Sequence, residues 1–226
     1  MNTEGVWIVI PAYNEAQRIS AVLGKLRSAG YANIVVVNDG SQDNTAEVAS
    51  KHTVHVLSHL INRGAGAATK TGLEYTKEQH AEVVVTLDAD GQHAIDDLGK
   101  VVQPVLKGNA EVVIGSRMID STGMPWIRKF GNFGLNIGTF LLFGLWVSDS
   151  QSGFKAFSLA ALEKISIRMD RYEFCSEMIH EIKRNKLKFI EVPIKVIYTK
   201  ESYAKGQSVI GGLKTAWGMI KKILLS

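Results

Sequence analysis

Cysteine is almost missing from this chain: Cys175 stands alone among 226 residues. An internal disulfide is therefore excluded, and a reducing, intracellular compartment is expected. A lone thiol of this kind reads as a small apolar filler rather than a nucleophile. The first residues, Met1 to Gly5, lack a basic stretch and run straight into an apolar segment, so no signal peptide is expected. No internal repeat and no low-complexity segment is present. The longest uncharged stretch, Phe130 to Ser148, approaches spanning length, yet it holds four glycines and two asparagines. Only Thr139 to Val147 is densely apolar, so an interfacial or buried helix pair is expected there rather than a membrane span. The dinucleotide fingerprint is incomplete as well. Gly64-Ala65-Gly66-Ala67-Ala68-Thr69 lacks the third glycine, and the first strand–helix turn, Pro11 to Glu15, has no glycine at all. A nicotinamide-dependent dehydrogenase is thus not expected, and the small residues read as a helix packing closely on a sheet.

What is present fits one α/β domain. Hydrophobic residues make up 46% of the chain, enough for a sizeable core, and charged residues 21%. Charge is unevenly spread: residues 183–226 carry ten Lys or Arg against two Glu, although the whole chain is only +4. A basic tail behind an acidic body suits an anionic membrane surface. It carries no recognisable nucleic-acid motif, so no nucleic-acid partner is expected.

Strand and helix signals alternate through the first half. Val6–Ile10 reads as a strand stopping at Pro11. Glu15–Ala29 reads as an amphipathic helix burying Ile19, Val22, Leu23 and Leu26 and ending at Gly30. Strands are expected at 34–37, 54–57, 83–87 and 111–115, with helices at 45–51, 64–76 and 96–106. That rhythm argues for a mostly parallel sheet covered by helices on both faces. The rhythm breaks after Met118. A late strand is expected from Ile190 to Tyr198, and Val209 to Leu225 reads as a basic amphipathic helix with Trp217 at a membrane interface.

The chemistry centres on Val83-Val84-Val85-Thr86-Leu87-Asp88-Ala89-Asp90-Gly91-Gln92-His93. A run of β-branched residues suits a strand buried on both faces, and two carboxylates follow at its C-terminal end, where open α/β sheets bind ligands. Two hard oxygen donors there suit Mg²⁺ or Mn²⁺ beside a phosphate-bearing substrate. Three more loops fall at strand ends: Pro11-Ala12-Tyr13-Asn14-Glu15, Asn38-Asp39-Gly40-Ser41-Gln42-Asp43 and Gly115-Ser116-Arg117. Together they offer an aromatic face, carboxylates and a phosphate-binding arginine, as a nucleotide diphosphate requires.

The motifs IPAYNE, VVNDGSQDNT, LDADGQH, GSR and QSGFKAF, in this order, resemble those of family 2 glycosyltransferases with the GT-A fold, and most of all the polyprenyl-phosphate glycosyltransferases. The resemblance covers roughly residues 6–205, and EVPIKVIYTKESYAKGQS is similar to the basic C-terminal segment of that group. It implies a GT-A domain over 1–205, with interfacial acceptor helices near 125–148, and a separate basic helix over 206–226. It implies that Pro11, Tyr13 and Glu15 border the nucleotide and that Asp39 holds the base. Asp88 would support nucleotide and metal, Asp90 and Gln92 would ligate Mg²⁺ or Mn²⁺, and Arg117 would bind phosphate. Arg128 and Asn132 would hold the acceptor phosphate. Ser152, Gly153 and Phe154 would line the sugar and acceptor side.

The implied reaction is inverting transfer of a hexose from a nucleotide-diphosphate sugar, GDP-mannose or UDP-glucose, to a polyprenyl phosphate. The enzyme would sit peripherally on the cytoplasmic face of a membrane. Two alternatives stay open. A sugar-hydroxyl acceptor would need a general base, for which Asp149 and Glu177 are the candidates. A non-catalytic nucleotide-sugar-binding module is the other. Glu177 reads equally as a solvent-facing residue, and His93 as a neighbour of the acidic loop that supports it or stays exposed, with contact to the metal as the alternative. Oligomeric state and prenyl chain length are not specified by these motifs.

Overall fold

The computed structural model describes residues 3–197. The expected helix over 209–225, the 206–226 segment and the end of the 190–198 strand lie outside the described residues. Seven strands form one sheet: β1 (Val6–Ala12), β2 (Asn33–Asn38), β3 (His55–Ser58), β4 (Val83–Thr86), β5 (Val112–Ser116), β6 (Lys155–Ser158) and β7 (Phe189–Pro193). Their order is β3-β2-β1-β4-β6-β5-β7. Every pairing is parallel except the two made by β6, which runs against β4 and β5. The expected α/β sheet, mostly parallel and covered on both faces, is what forms.

The helices are α1 (Ala16–Ser28), α2 (Thr45–Ser50), α3 (Ala65–Glu78), α4 (Leu98–Leu106), α5 (Trp126–Phe143), α6 (Leu159–Lys164) and α7 (Phe174–Arg184). Strand side chains alternate between two cores. Ile8, Ile10, Ile34 and Val85 meet Ile19, Leu23 and Leu26 of α1 and Val101 and Val102 of α4. Val9, Val35, Val84 and Ile114 meet Leu73 of α3 and Met178, Ile179 and Ile182 of α7. The four apolar residues expected on α1 are all buried; at about 1.5–3 kcal/mol each, their burial outweighs helix propensity in fixing this element. Gly30 follows α1 with φ +86°, its N–H bonding Arg27 O while Tyr31 N–H reaches back to Leu26 O, a Schellman closure.

Pro11 does not end β1; it pairs in register with Val37 inside the strand. Pro11 points the same way as Val9, toward β4, whose pairing has already stopped at Thr86. The N–H that proline lacks is therefore not needed. The small residues of α3 serve close packing, as expected: a β-carbon on Gly72 would strike the Val9 side chain, and one on Gly66 would press on Phe174 and the Asp170 backbone.

The uncharged stretch after Arg128 is one helix, α5, and not a pair. Gly144, at φ +66°, turns the chain out of it, and residues 145–154 are non-helical. Among the described residues no helix is long and apolar enough to cross a membrane.

Candidate active site

Strand order reverses between β1 and β4: β2 and β3 lie to one side of β1, and β4 and its successors to the other. The C-terminal ends of β1, β2, β4 and β5 share one edge, which opens the crevice where such sheets bind ligands. The first loop is stapled to the second. Asn14, at φ +55°, donates its N–H to Ser41 Oγ (3.0 Å) and accepts from Gln42 N (2.9 Å). Tyr13 is exposed. Glu15 is held by Arg18 at 2.9 Å, and its main-chain N–H donates to Thr45 Oγ1.

Asp39 is buried at the end of β2. Its carboxylate accepts from His59 Nδ1 (2.7 Å), Arg63 N (3.0 Å) and Gly64 N (2.7 Å). Three of about four acceptor positions are thus used by the 59–64 loop, and one is left. His59, missed in the sequence, also contacts Thr71 Oγ1 (3.0 Å) and braces this anchor; a histidine one residue past a strand gave no signal by itself.

Asp88 and Asp90 leave β4 as the sequence implies. Asp88 is half-exposed and bonds His93 Nε2 at 3.0 Å. Burial pulls its carboxyl upward, but the His93 hydrogen bond and the charges of His93, Arg117 and Lys155 hold it below the ordinary aspartate range. Asp90 is shifted the other way, by burial first and then by the negative charges of Asp88 and Glu15. The Gln92 main-chain N–H and side-chain amide both turn toward it (2.9 and 2.5 Å). His93 is buried against Phe154 at 5.2 Å between ring centroids, and its Nδ1 has no partner among the described residues. His93 therefore supports Asp88 rather than standing exposed.

No group of three or more His, Cys, Asp or Glu side chains with metal-holding geometry occurs among the described residues. The fit to a divalent cation rests instead on the donors: two carboxylates and an amide oxygen, all hard, with the Asp90 carboxyl raised by burial and then by the charge of Asp88. A nucleotide diphosphate would add further oxygens. The residues therefore fit Mg²⁺ or Mn²⁺ held jointly by protein and substrate.

Arg117 lies beyond β5, and its Nε and Nη2 donate to the two oxygens of Asp149, each at 2.7 Å, while its main-chain N–H adds a third bond at 2.9 Å. A phosphate at this arginine would share the guanidinium with Asp149. Asp149 is fully buried. Burial pushes its carboxyl up, but Arg117 by charge and hydrogen bond, with Lys155 behind, brings it below the ordinary range. It is an orienting partner of Arg117, not an accessible base.

Glu177 also needs correction: it neither faces solvent nor reaches toward a sugar. It is buried on α7 and accepts from the main-chain N–H groups of Arg168 and Met169 at 2.9–3.1 Å. Together with Glu181, one turn on and bonded to Ser166 N at 3.0 Å, it fastens the non-helical 165–170 segment.

The reading of Ser152 and Phe154 as lining residues is corrected too. Both are fully buried; Phe154 belongs to the core, and Ser152 Oγ accepts from Phe154 N at 3.2 Å. Of that trio only Gly153 reaches the site surface, where it packs against the Asp88 carboxylate. Lys155 follows, buried in β6, with Nζ donating to Ser152 O. Arg128 and Asn132 are half-buried on α5, one turn apart, and Asn132 Nδ2 lies 4.0 Å from Met118 Sδ, beside Arg117. Cys175 is inert filler, its thiol pushed up to about 11 by burial.

Fold and site together define a GT-A transferase. Residues 7–166 match the Glycosyl transferase family 2 profile, and the chain belongs to that family. It is 42% identical over 237 residues to the UDP-N-acetylglucosamine–dolichyl-phosphate N-acetylglucosaminyltransferase of Methanococcus voltae, spanning 95% of this chain and 94% of that one. It is 29% identical over 232 residues to the undecaprenyl-phosphate mannosyltransferase of Micrococcus luteus, spanning 95% and 94%. Among solved structures, glucosyl-3-phosphoglycerate synthase of Mycobacterium tuberculosis, in complex with Mn²⁺, UDP-glucose and phosphoglyceric acid, shares the fold. The TM-score is 0.67 at 21% identity, over 94% of this chain and 79% of that one. The chain is a family 2 glycosyltransferase.

Proposed function

We propose that this enzyme transfers a sugar from a nucleotide-diphosphate sugar to a polyprenyl phosphate, with inversion at the anomeric carbon. The observation that carries the reading is the Asp88–Asp90 pair at the end of β4, with Arg117 at the end of β5 on the same edge of the sheet. The sequence pointed to GDP-mannose or UDP-glucose. The name of the Methanococcus voltae relative, with its near full-length match, turns the choice toward UDP-N-acetylglucosamine.

Asp90 and Gln92, supported by Asp88, would hold a divalent cation, which supplies charge neutralisation for the leaving diphosphate. Asp39 offers its remaining acceptor position to the base, and Tyr13 an aromatic face. Arg117, oriented by Asp149, places positive charge where the diphosphate leaves. The acceptor is already an anion near neutral pH, so Arg128 and Asn132 need only position it. A phosphate oxygen forms the new bond to the anomeric carbon as that carbon's bond to the diphosphate breaks, and the electron pair stays with the diphosphate. No proton has to be removed, which agrees with Asp149 and Glu177 both being engaged within the fold. The exposed apolar side chains of α5, Trp126, Phe130 and Leu141, support seating on a lipid surface beside the prenyl chain.

The test is transfer of radiolabel from UDP-N-acetylglucosamine, UDP-glucose or GDP-mannose to a short polyprenyl phosphate with Mg²⁺ or Mn²⁺, read after organic extraction. Metal-dependent label in the organic phase is expected, greatest with UDP-N-acetylglucosamine. Label that stays in water with every donor, while donor binding persists, would overturn the lipid-phosphate reading.

A further inference from the structure

Helix α5 is built inside out. Its only fully buried residues are Asn136 and Thr139, whereas Trp126, Phe130 and Leu141 are 69%, 71% and 75% exposed. The inward side carries a polar stripe, with Leu142 and Phe143 meeting the second core at its C-terminal end: Arg128, Asn132, Asn136 and Thr139 recur at spacings of four, four and three, so they share one face. Burial deepens along it, from the half-buried Arg128 and Asn132 to Asn136 at 2% exposure.

At its deep end the stripe grips the loop that carries Asp149. Asn136 Oδ1 accepts from Ser150 N (2.9 Å) and Ser150 Oγ (2.8 Å), and its Nδ2 donates to Ser148 O (2.5 Å). One amide therefore clamps the residues on both sides of Asp149. From the other side Glu191 accepts from Ser148 N and Oγ at 2.7–3.0 Å. Asp149 in turn fixes Arg117 by three hydrogen bonds. Three of the four hydrogen-bonding positions of the Asn136 amide are spent on this loop, so it has one orientation.

The geometry points to Asn136 as a positioning residue for the reaction: it fixes the Asp149 carboxylate and, through it, the guanidinium of Arg117. This rests on the reading of Arg117 as the diphosphate ligand. It deepens that reading, because Arg128 and Asn132 lie on the same stripe of the same helix. One rigid element thereby sets the separation between the acceptor-phosphate residues and the arginine that serves the donor. A buried asparagine in an uncharged, glycine-rich run acquires a specific task.

A double-mutant cycle tests it. Asn136→Ala is expected to lower kcat for transfer by about 10-fold or more, with a much smaller change in acceptor KM, since misplacement of a charge-stabilising group acts on the chemical step. In an Arg117→Lys background, which lacks the fork, the same change is expected to alter kcat less than about 2-fold. Leu142→Ala, which removes apolar packing of α5 on the second core and none of the Asn136 hydrogen bonds, should lower thermal stability and leave transfer within about 2-fold. Ser150→Ala removes the hydroxyl bond to Asn136, with those Ser150 Oγ accepts from Thr139 and Gln151, but keeps the main-chain part of the clamp, and supplies a milder arm should Asn136→Ala not fold.

The same cycle is read by calorimetric titration of UDP with Mn²⁺, which needs no acceptor. A wild-type enzyme that binds UDP but transfers to no lipid phosphate would thus sink the acceptor assignment while leaving the clamp under test. Independent, multiplicative effects of Asn136→Ala and Arg117→Lys, or an equal fall in Leu142→Ala, would overturn the clamp.

Discussion

Asp88 and Gly153 compete for the same space: a β-carbon on Gly153 would lie within 2.5 Å of Asp88 Oδ1. The approach is held by Thr86 Oγ1, which donates to Gly153 O at 2.7 Å. Only a residue without a side chain lets the acidic pair of β4 and the start of β6 meet. Gly153→Ala is therefore expected to displace Asp88, lowering kcat at least about 10-fold and weakening Mn²⁺ binding. Steady-state kinetics with a parallel Mn²⁺ titration checks it; full activity would show that Asp88 tolerates displacement.

Asp90 should be the most sensitive position. Asp90→Ala is expected to abolish turnover and metal-dependent UDP binding. Its carboxyl is raised by burial and by Asp88, so in the metal-free protein a proton competes for the oxygens that would hold the cation. Mn²⁺ affinity in the wild type should fall as pH drops through that raised value, measurable by calorimetry at a series of pH values. A pH-independent affinity would contradict this.

Asp149→Asn removes one partner of a pair that is fully buried on the acid side and about one-quarter exposed on the arginine side. Loss of a buried partner costs roughly 3 kcal/mol. The folded carboxyl lies below its unfolded value, so its stabilising contribution is complete above the ordinary aspartate range and is lost as pH falls through the depressed value. The stability gap between wild type and variant, from denaturant melts, should be constant near neutrality and close only in strong acid. A gap that closes around neutral pH would refute the assignment.

Glu177→Gln keeps the shape but weakens the charge-assisted bonds to Arg168 N and Met169 N. A stability loss of about 1–3 kcal/mol is expected, with kcat per folded molecule nearly unchanged. A drop in kcat of several orders, with a shifted pH profile, would instead mark Glu177 as a base.

Arg128→Ala should raise KM for polyprenyl phosphate about 10-fold or more while UDP binding stays within about 2-fold. Comparable loss of both would remove the division between donor and acceptor groups.

Much of this architecture is legible in the chain because its strands are short β-branched runs, and their order with the helices dictates a parallel sheet. Asp88 and Asp90 are legible because two carboxylates directly after such a run have few other uses. β6 left no comparable trace. Lys155–Ser158 is four residues with a lysine among them, and its antiparallel placement depends on partners about 70 residues earlier in β4. The roles of Asp149 and Glu177 were equally hidden. Whether a carboxylate is a base or a fastener depends on what surrounds it, and Arg117 lies 32 residues from Asp149. The break after Gly144 turned an expected helix pair into one helix, because glycine there takes φ +66° and lets the chain turn away.

The placement of β6 also bears on biosynthesis. β1, β2 and β3 pair in chain order and β4 then joins β1, so these four strands are complete while the rest is still being translated. The far edge of β4 then presents bare N–H and C=O groups until residues 155–158 emerge to cover it. An apolar strand left open in this way is a template for pairing with other chains. A ribosome paused near α5 would hold a nascent protein with most of its core and a sticky edge, and its acidic pair would still await Gly153.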